Sequence, residues 1–108
     1  MEWAKYISYF FGGLFLVNAV PHFVNGVMGR AFQSPFAKPP GKGLSTSTAN
    51  IVWGFLNLVV GYVLVCWVGN FNARSADALA LGLGILLAGL MLARYFGPFH
   101  GGDRPVDR

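Results

Sequence analysis

Three polar side chains stand inside an otherwise apolar stretch near the start of this 108-residue chain. Asn18, His22 and Asn25 recur at i, i+4 and i+7 between Val17 and Gly29, a spacing that places them on one face of a helix. Pro21 has no amide hydrogen to give the preceding turn and loosens the helix beside that face. An imidazole flanked by amides can hold the polar head of a lipid, a quinone or another amphiphile. It can also ligate a metal, and His22, His100 and Asp103 together have the composition of a two-histidine, one-carboxylate site. That set is not favoured, because His100 and Asp103 lie in a glycine-containing tail, and no cofactor is assigned.

Composition explains why these residues matter. Hydrophobic residues make up 55% and charged residues 11% of the chain, against roughly 25% charged in ordinary soluble domains. Three runs carry no charge: Tyr6 to Gly29, Gly43 to Ala73, and Ala78 to Ala93. A membrane-crossing helix needs about 20 mostly apolar residues, so each run holds one. In lipid, an embedded polar group is costly and seeks company from another helix.

The expected architecture is an all-α membrane protein, a single integral membrane domain of three transmembrane helices with a Pro/Gly-rich loop between the first and the second. The helices are placed at about 3–28, 49–69 and 76–96, the loop at 30–48 and a mobile tail at 97–108. Val17, Asn18 and Ala19 satisfy the small-residue rule of a cleavage site, but Pro21 lies just beyond and the early region carries Lys5 against Glu2, so the first segment is read as a retained helix. Proline-rich text at Pro35, Pro39 and Pro40 reads as extended backbone, with Phe32 and Phe36 dipping into the interface. Ser45 to Thr48 offer several N-caps for the second helix. Gly97 and Pro98 are read as the end of the third.

Packing is expected through small residues, since lipid supplies no hydrophobic drive between helices. Helix two carries a stripe of Asn50, Gly54, Asn57 and Gly61. Helix three carries Ala78, Gly82, Gly89 and Ala93 on one side and Gly84 and Ala88 nearly opposite, two faces for two neighbours. Matching antiparallel helices by depth at about 1.5 Å per residue pairs Asn18 with Asn57. It sets His22 level with Trp53 and Gly54, Asn25 level with Asn50, and Arg94 at the depth of His22. A candidate ligand site therefore comprises Asn18, His22, Asn25, Asn50, Trp53, Asn57 and Arg94. The structural alternative is that the asparagines are packing glue, His22 satisfies a carbonyl freed at Pro21, and Arg94 snorkels to headgroups.

Other chemistries find no support. No serine or cysteine nucleophile is placed beside a histidine, and Cys66 falls in the apolar run Val63–Trp67, far from His22. The net charge of +4 comes from bases scattered along loops, so no nucleic-acid partner is expected. Arg30, Lys38, Lys42, Arg94, Arg104 and Arg108 fall on one side of the three spans, and Lys5 and Arg74 on the other. The positive-inside rule then puts the amino terminus outside the cytoplasmic (inner) membrane and the carboxyl terminus in the cytoplasm. The leading expectation is a non-enzymatic, oligomeric or accessory membrane subunit, partnered by the bilayer and by a second copy or a larger complex. The alternative is an enzyme or carrier that binds an amphiphile at His22.

Overall fold

A computed structural model of the protein describes residues 3–102. It contains three long helices, α1 (Ala4–Val27), α2 (Ser47–Cys66) and α3 (Ala76–His100), and a two-stranded hairpin, β1 (Phe32–Gln33) and β2 (Leu44–Ser45), between α1 and α2. All three helices are long and apolar enough to cross a membrane.

Burial in this molecule is inverted relative to a water-soluble domain. His22, Gln33, Ser34, Asn50, Asn57 and Asp77 are buried, whereas Phe55, Leu56, Leu79, Leu83, Leu86 and Leu90 are exposed. In water such a surface would be unstable; in lipid it is the expected solution, because acyl chains solvate leucine but not amides.

Helix α1 is the central element. Helices α2 and α3 each pack on it and scarcely touch one another. Adjacent glycines in α1 serve the two neighbours: a Cβ on Gly12 would meet Val65 and the Gly61 carbonyl of α2, and one on Gly13 would meet the Leu81 carbonyl and Ile85 of α3. On α2, Gly54 lies against the Phe23 backbone and Gly61 against Leu16. On α3, Gly84 packs on the Phe10 carbonyl and Ala88 is buried. The opposite α3 face, expected to pack as well, is open: nothing lies within 4 Å of a Cβ at Gly82, and only Val17 approaches one at Gly89, at 3.9 Å. One small-residue face is enough, because α3 has a single close neighbour in the chain.

Local capping fixes the helix ends. Thr46 Oγ1 accepts the Ala49 amide (3.1 Å) at the start of α2, and Ser75 Oγ accepts the Asp77 amide (3.1 Å) at the start of α3. Asp77 stands in the first turn of α3, where a carboxylate suits the amino-terminal dipole. It is 2% exposed, accepts the Asn72 amide at 3.0 Å and lies 3.6 Å from Lys5 Nζ, so it also ties the α2–α3 turn to α1.

Two boundary expectations are corrected. Helix α3 does not stop before Gly97 and Pro98 but runs to His100, ending where Gly101 adopts φ 80° and the Gly101 and Gly102 amides both bond the Gly97 carbonyl. Proline fits helical φ but forgoes its own amide bond and crowds the carbonyl of the preceding turn, and the contacts of His100 with Phe32 and Gln33 hold the extra turn in place. Residues 97–102 of the expected mobile tail are therefore ordered, and 103–108 lie outside the described residues. The connecting loop is not extended throughout: Phe32 pairs with Ser45 and Gln33 with Leu44, and the prolines between them form turns closed at Gly41, φ 76°.

Candidate functional site

The hairpin folds over the end of the bundle, and Asn50 is the residue that attaches it. Asn50 is fully buried, and its Nδ2 donates to the carbonyls of Phe32 (3.2 Å), Ser45 (3.2 Å) and Thr46 (3.0 Å). Three carbonyls around one amide nitrogen fix which way the amide points, so Oδ1 faces His22 Nδ1, at 2.7 Å. An amide oxygen only accepts; His22 Nδ1 therefore carries the proton. In the neutral ring Nε2 is then a bare acceptor, and it has no hydrogen-bond partner among the described residues.

Aromatic rings enclose the imidazole. Phe32 and Phe96 stand edge-on to it at 5.4 and 6.3 Å, and Trp53 at 6.3 Å. Phe32 packs on Phe96 at 4.7 Å and stacks on His100 at 5.1 Å, nearly parallel. His100 Nε2 donates to Gln33 Oε1 at 2.9 Å, which leaves the Gln33 amide hydrogens without a partner on a side chain 5% exposed. The Trp53 indole N–H is buried and unbonded. Ser34 is saturated, bonding Ser45 Oγ at 2.6 Å and accepting the Phe36 amide at 3.1 Å. Tyr95 O–H donates to the Gly41 carbonyl at 2.7 Å and pins the hairpin tip to α3.

These groups border a cavity of about 220 Å³ lined by Asn18, His22, Gln33, Ser34, Trp53 and Phe96, together with Pro35 and Gly41 of the hairpin. Asn18 also lines an apolar groove of about 130 Å³ with Leu14, Ala88, Met91 and Leu92, between α1 and α3. Phe96 is shared with a second α1–α3 groove of about 280 Å³, lined among others by Val17, Pro21, Gly89 and Leu92. A partly open pocket at the bundle end, apolar over most of its lining but holding these polar groups, thus adjoins apolar grooves between α1 and α3.

The residues singled out in the sequence fare unequally. Asn18 Nδ2 donates to Asn57 Oδ1 at 3.0 Å, and Asn57 Nδ2 donates to the Trp53 carbonyl at 2.8 Å, as depth matching led one to expect. His22 meets Trp53 as expected but gives its proton to Asn50 rather than to a carbonyl near Pro21. Asn25 does not reach Asn50; its amide donates to the Pro21 carbonyl of its own helix at 2.7 Å. Arg94 shares the depth of His22 but not its direction. Six residues from buried Ala88, it sits about 120° around the helix and is exposed beside Leu90, Ala93 and Gly102.

Among the described residues no three His, Cys, Asp or Glu side chains converge as metal ligands. His22 and His100 each bond an amide and pack on Phe32, and Asp103 lies outside the described residues. Gln33, Ser34 and Phe96 are site residues that sequence reasoning missed, while Phe32 and His100 belong to the site in other roles than the interface contact and the metal ligand expected of them. Phe96 and His100 share an i, i+4 face that becomes visible once α3 is continued through Pro98. Comparison with family models, with curated proteins and with solved structures finds no match to this chain.

Proposed function

We propose that this small multi-pass membrane protein binds an amphiphilic small molecule, its head in the chamber beneath the hairpin and its hydrocarbon tail in the α1–α3 groove. The observation that carries this reading is that three residues lining one pocket keep polar groups without a hydrogen-bond partner among the described residues: the buried Trp53 indole N–H, His22 Nε2 and the Gln33 amide. A buried, unsatisfied group costs about 1–3 kcal/mol, and a ligand head that bonds them removes that cost. Tail and head then lie where each is best solvated. The basic residues Arg30, Lys38, Lys42 and Arg94 near the hairpin end, against Lys5 and Arg74 at the other, support a cytoplasmic-membrane protein with this chamber on the cytoplasmic side.

Mass spectrometry of protein purified in mild detergent tests the reading. Wild type should carry an amphiphile that is depleted at least several-fold in His22→Phe, which keeps a ring but has no nitrogen. Identical small-molecule content in the two would contradict it.

A second reading, an oligomeric or accessory subunit, is favoured by one specific feature. The α3 face at Gly82 has nothing within 4 Å of a Cβ built there, and a small residue on an open face lets a second helix approach closely. Gly82→Leu should then shift the oligomer distribution in detergent, and an unchanged monomer would remove the support.

A further inference from the structure

We infer that the head of the bound amphiphile is an uncharged aromatic alcohol, a phenol or hydroquinone ring, whose hydroxyl donates to His22 Nε2 and accepts from the Trp53 indole. This rests on the amphiphile reading above and specifies the chemistry of its ligand.

The donor and acceptor balance of the chamber sets the head group. Asn50 holds the proton on Nδ1, so the imidazole presents a lone pair at Nε2. Trp53 presents an N–H, and Gln33, whose oxygen is taken by His100, presents an NH2. A ligand must therefore donate at one point and accept at others. A hydroxyl does both. A quinone or ketone carbonyl accepts only and leaves Nε2 facing a lone pair.

Charge is selected against in the same way. Among the described residues no Asp, Glu, Lys or Arg lines the chamber, and Lys38 and Lys42 lie exposed on the hairpin. A phosphate or ammonium head would leave water with no counter-charge to meet it. The volume, about 220 Å³, is room for about seven waters at roughly 30 Å³ each, enough for one substituted ring. The walls favour a ring over an aliphatic alcohol. Trp53 and Phe96 face the chamber, backed by Phe36 edge-on at 5.0 Å and Phe32 at 4.7 Å, and aromatic faces and edges prefer another aromatic in offset or edge-to-face packing.

The test uses full-length protein in phosphatidylcholine nanodiscs, titrated with decyl-hydroquinone under anaerobic conditions, its dimethyl ether, decyl-quinone and decyl phosphate. The hydroquinone should bind roughly three- to tenfold tighter than the ether, whose oxygen can still accept from Trp53 but has no proton to donate to His22 Nε2, one hydrogen bond lost, and tighter than the quinone. Trp53→Phe should weaken the hydroquinone roughly three- to tenfold, with the same helical content and melting temperature. Equal affinity for hydroquinone, ether and quinone, or preference for the phosphate, would overturn the hydroxyl assignment while amphiphile binding stands. Binding of none of the four, with no amphiphile co-purified by wild type, would overturn both.

Discussion

Asn50 Oδ1 accepts the proton of His22 Nδ1 at 2.7 Å while Asn50 Nδ2 grips three carbonyls, two of them on the hairpin strands. One side chain on α2 thereby fixes the tautomer of a histidine on α1 and the position of the cover above it. The chamber exists because this residue reaches in both directions.

Asn50 should therefore be worth more than the other membrane asparagines. Asn50→Leu leaves His22 and the Phe32, Ser45 and Thr46 carbonyls short of a partner and should cost about 1–3 kcal/mol. Asn57→Leu removes one interhelical bond and should cost nearer 0.6 kcal/mol, the average for such bonds between membrane helices. Equilibrium unfolding in mixed micelles measures both; equal losses would contradict the structural role given to Asn50.

Part of this was readable before any coordinates, and the division has a physical cause. Asn18 and Asn57 pair as the sequence suggests because depth and helical phase both follow from one straight, antiparallel helix pair. Arg94 went astray because depth alone was used: a helix presents a residue at one angle only, and Arg94 points away from α1. The hairpin was illegible because two-residue strands have no alternation to read, and its order comes from Asn50 and Tyr95, distant in sequence. The place of His100 in the site is not legible because proline usually ends or kinks a helix, and it is the packing of His100 on Phe32 and Gln33, distant in sequence, that carries α3 past Pro98.

The two faces of α3 should respond differently to bulk. Gly84→Leu drives a side chain into the Phe10 carbonyl and should lower the melting temperature markedly, at a cost of about 1–3 kcal/mol for overpacking. Gly82→Leu meets nothing within the protomer and should stay within about 0.5 kcal/mol of wild type. A loss at Gly82 as large as that at Gly84 would show that α3 is packed the other way round.

Lys5 and Asp77 should be coupled. Lys5→Met should destabilise wild type more than it destabilises Asp77→Asn, with an interaction energy of about 0.5–3 kcal/mol from the double-mutant cycle. Additive effects would mean that the 3.6 Å approach contributes nothing measurable.

Orientation is accessible through cysteines placed in a Cys66→Ala background. Asn70→Cys, in the α2–α3 turn, should react with a membrane-impermeant maleimide on intact cells, and Lys38→Cys, in the hairpin, only after permeabilisation. The reverse pattern would invert the topology and put the chamber outside.

If the chamber beside His22 holds the head of an amphiphile, a crystal structure grown from a lipidic mesophase should show connected non-protein density beginning within hydrogen-bonding distance of His22 Nε2 and Trp53 Nε1 and continuing past Asn18 along Leu14, Ala88 and Leu92. Isolated water peaks in the chamber, or its closure by Trp53 swinging onto His22, would contradict amphiphile binding there.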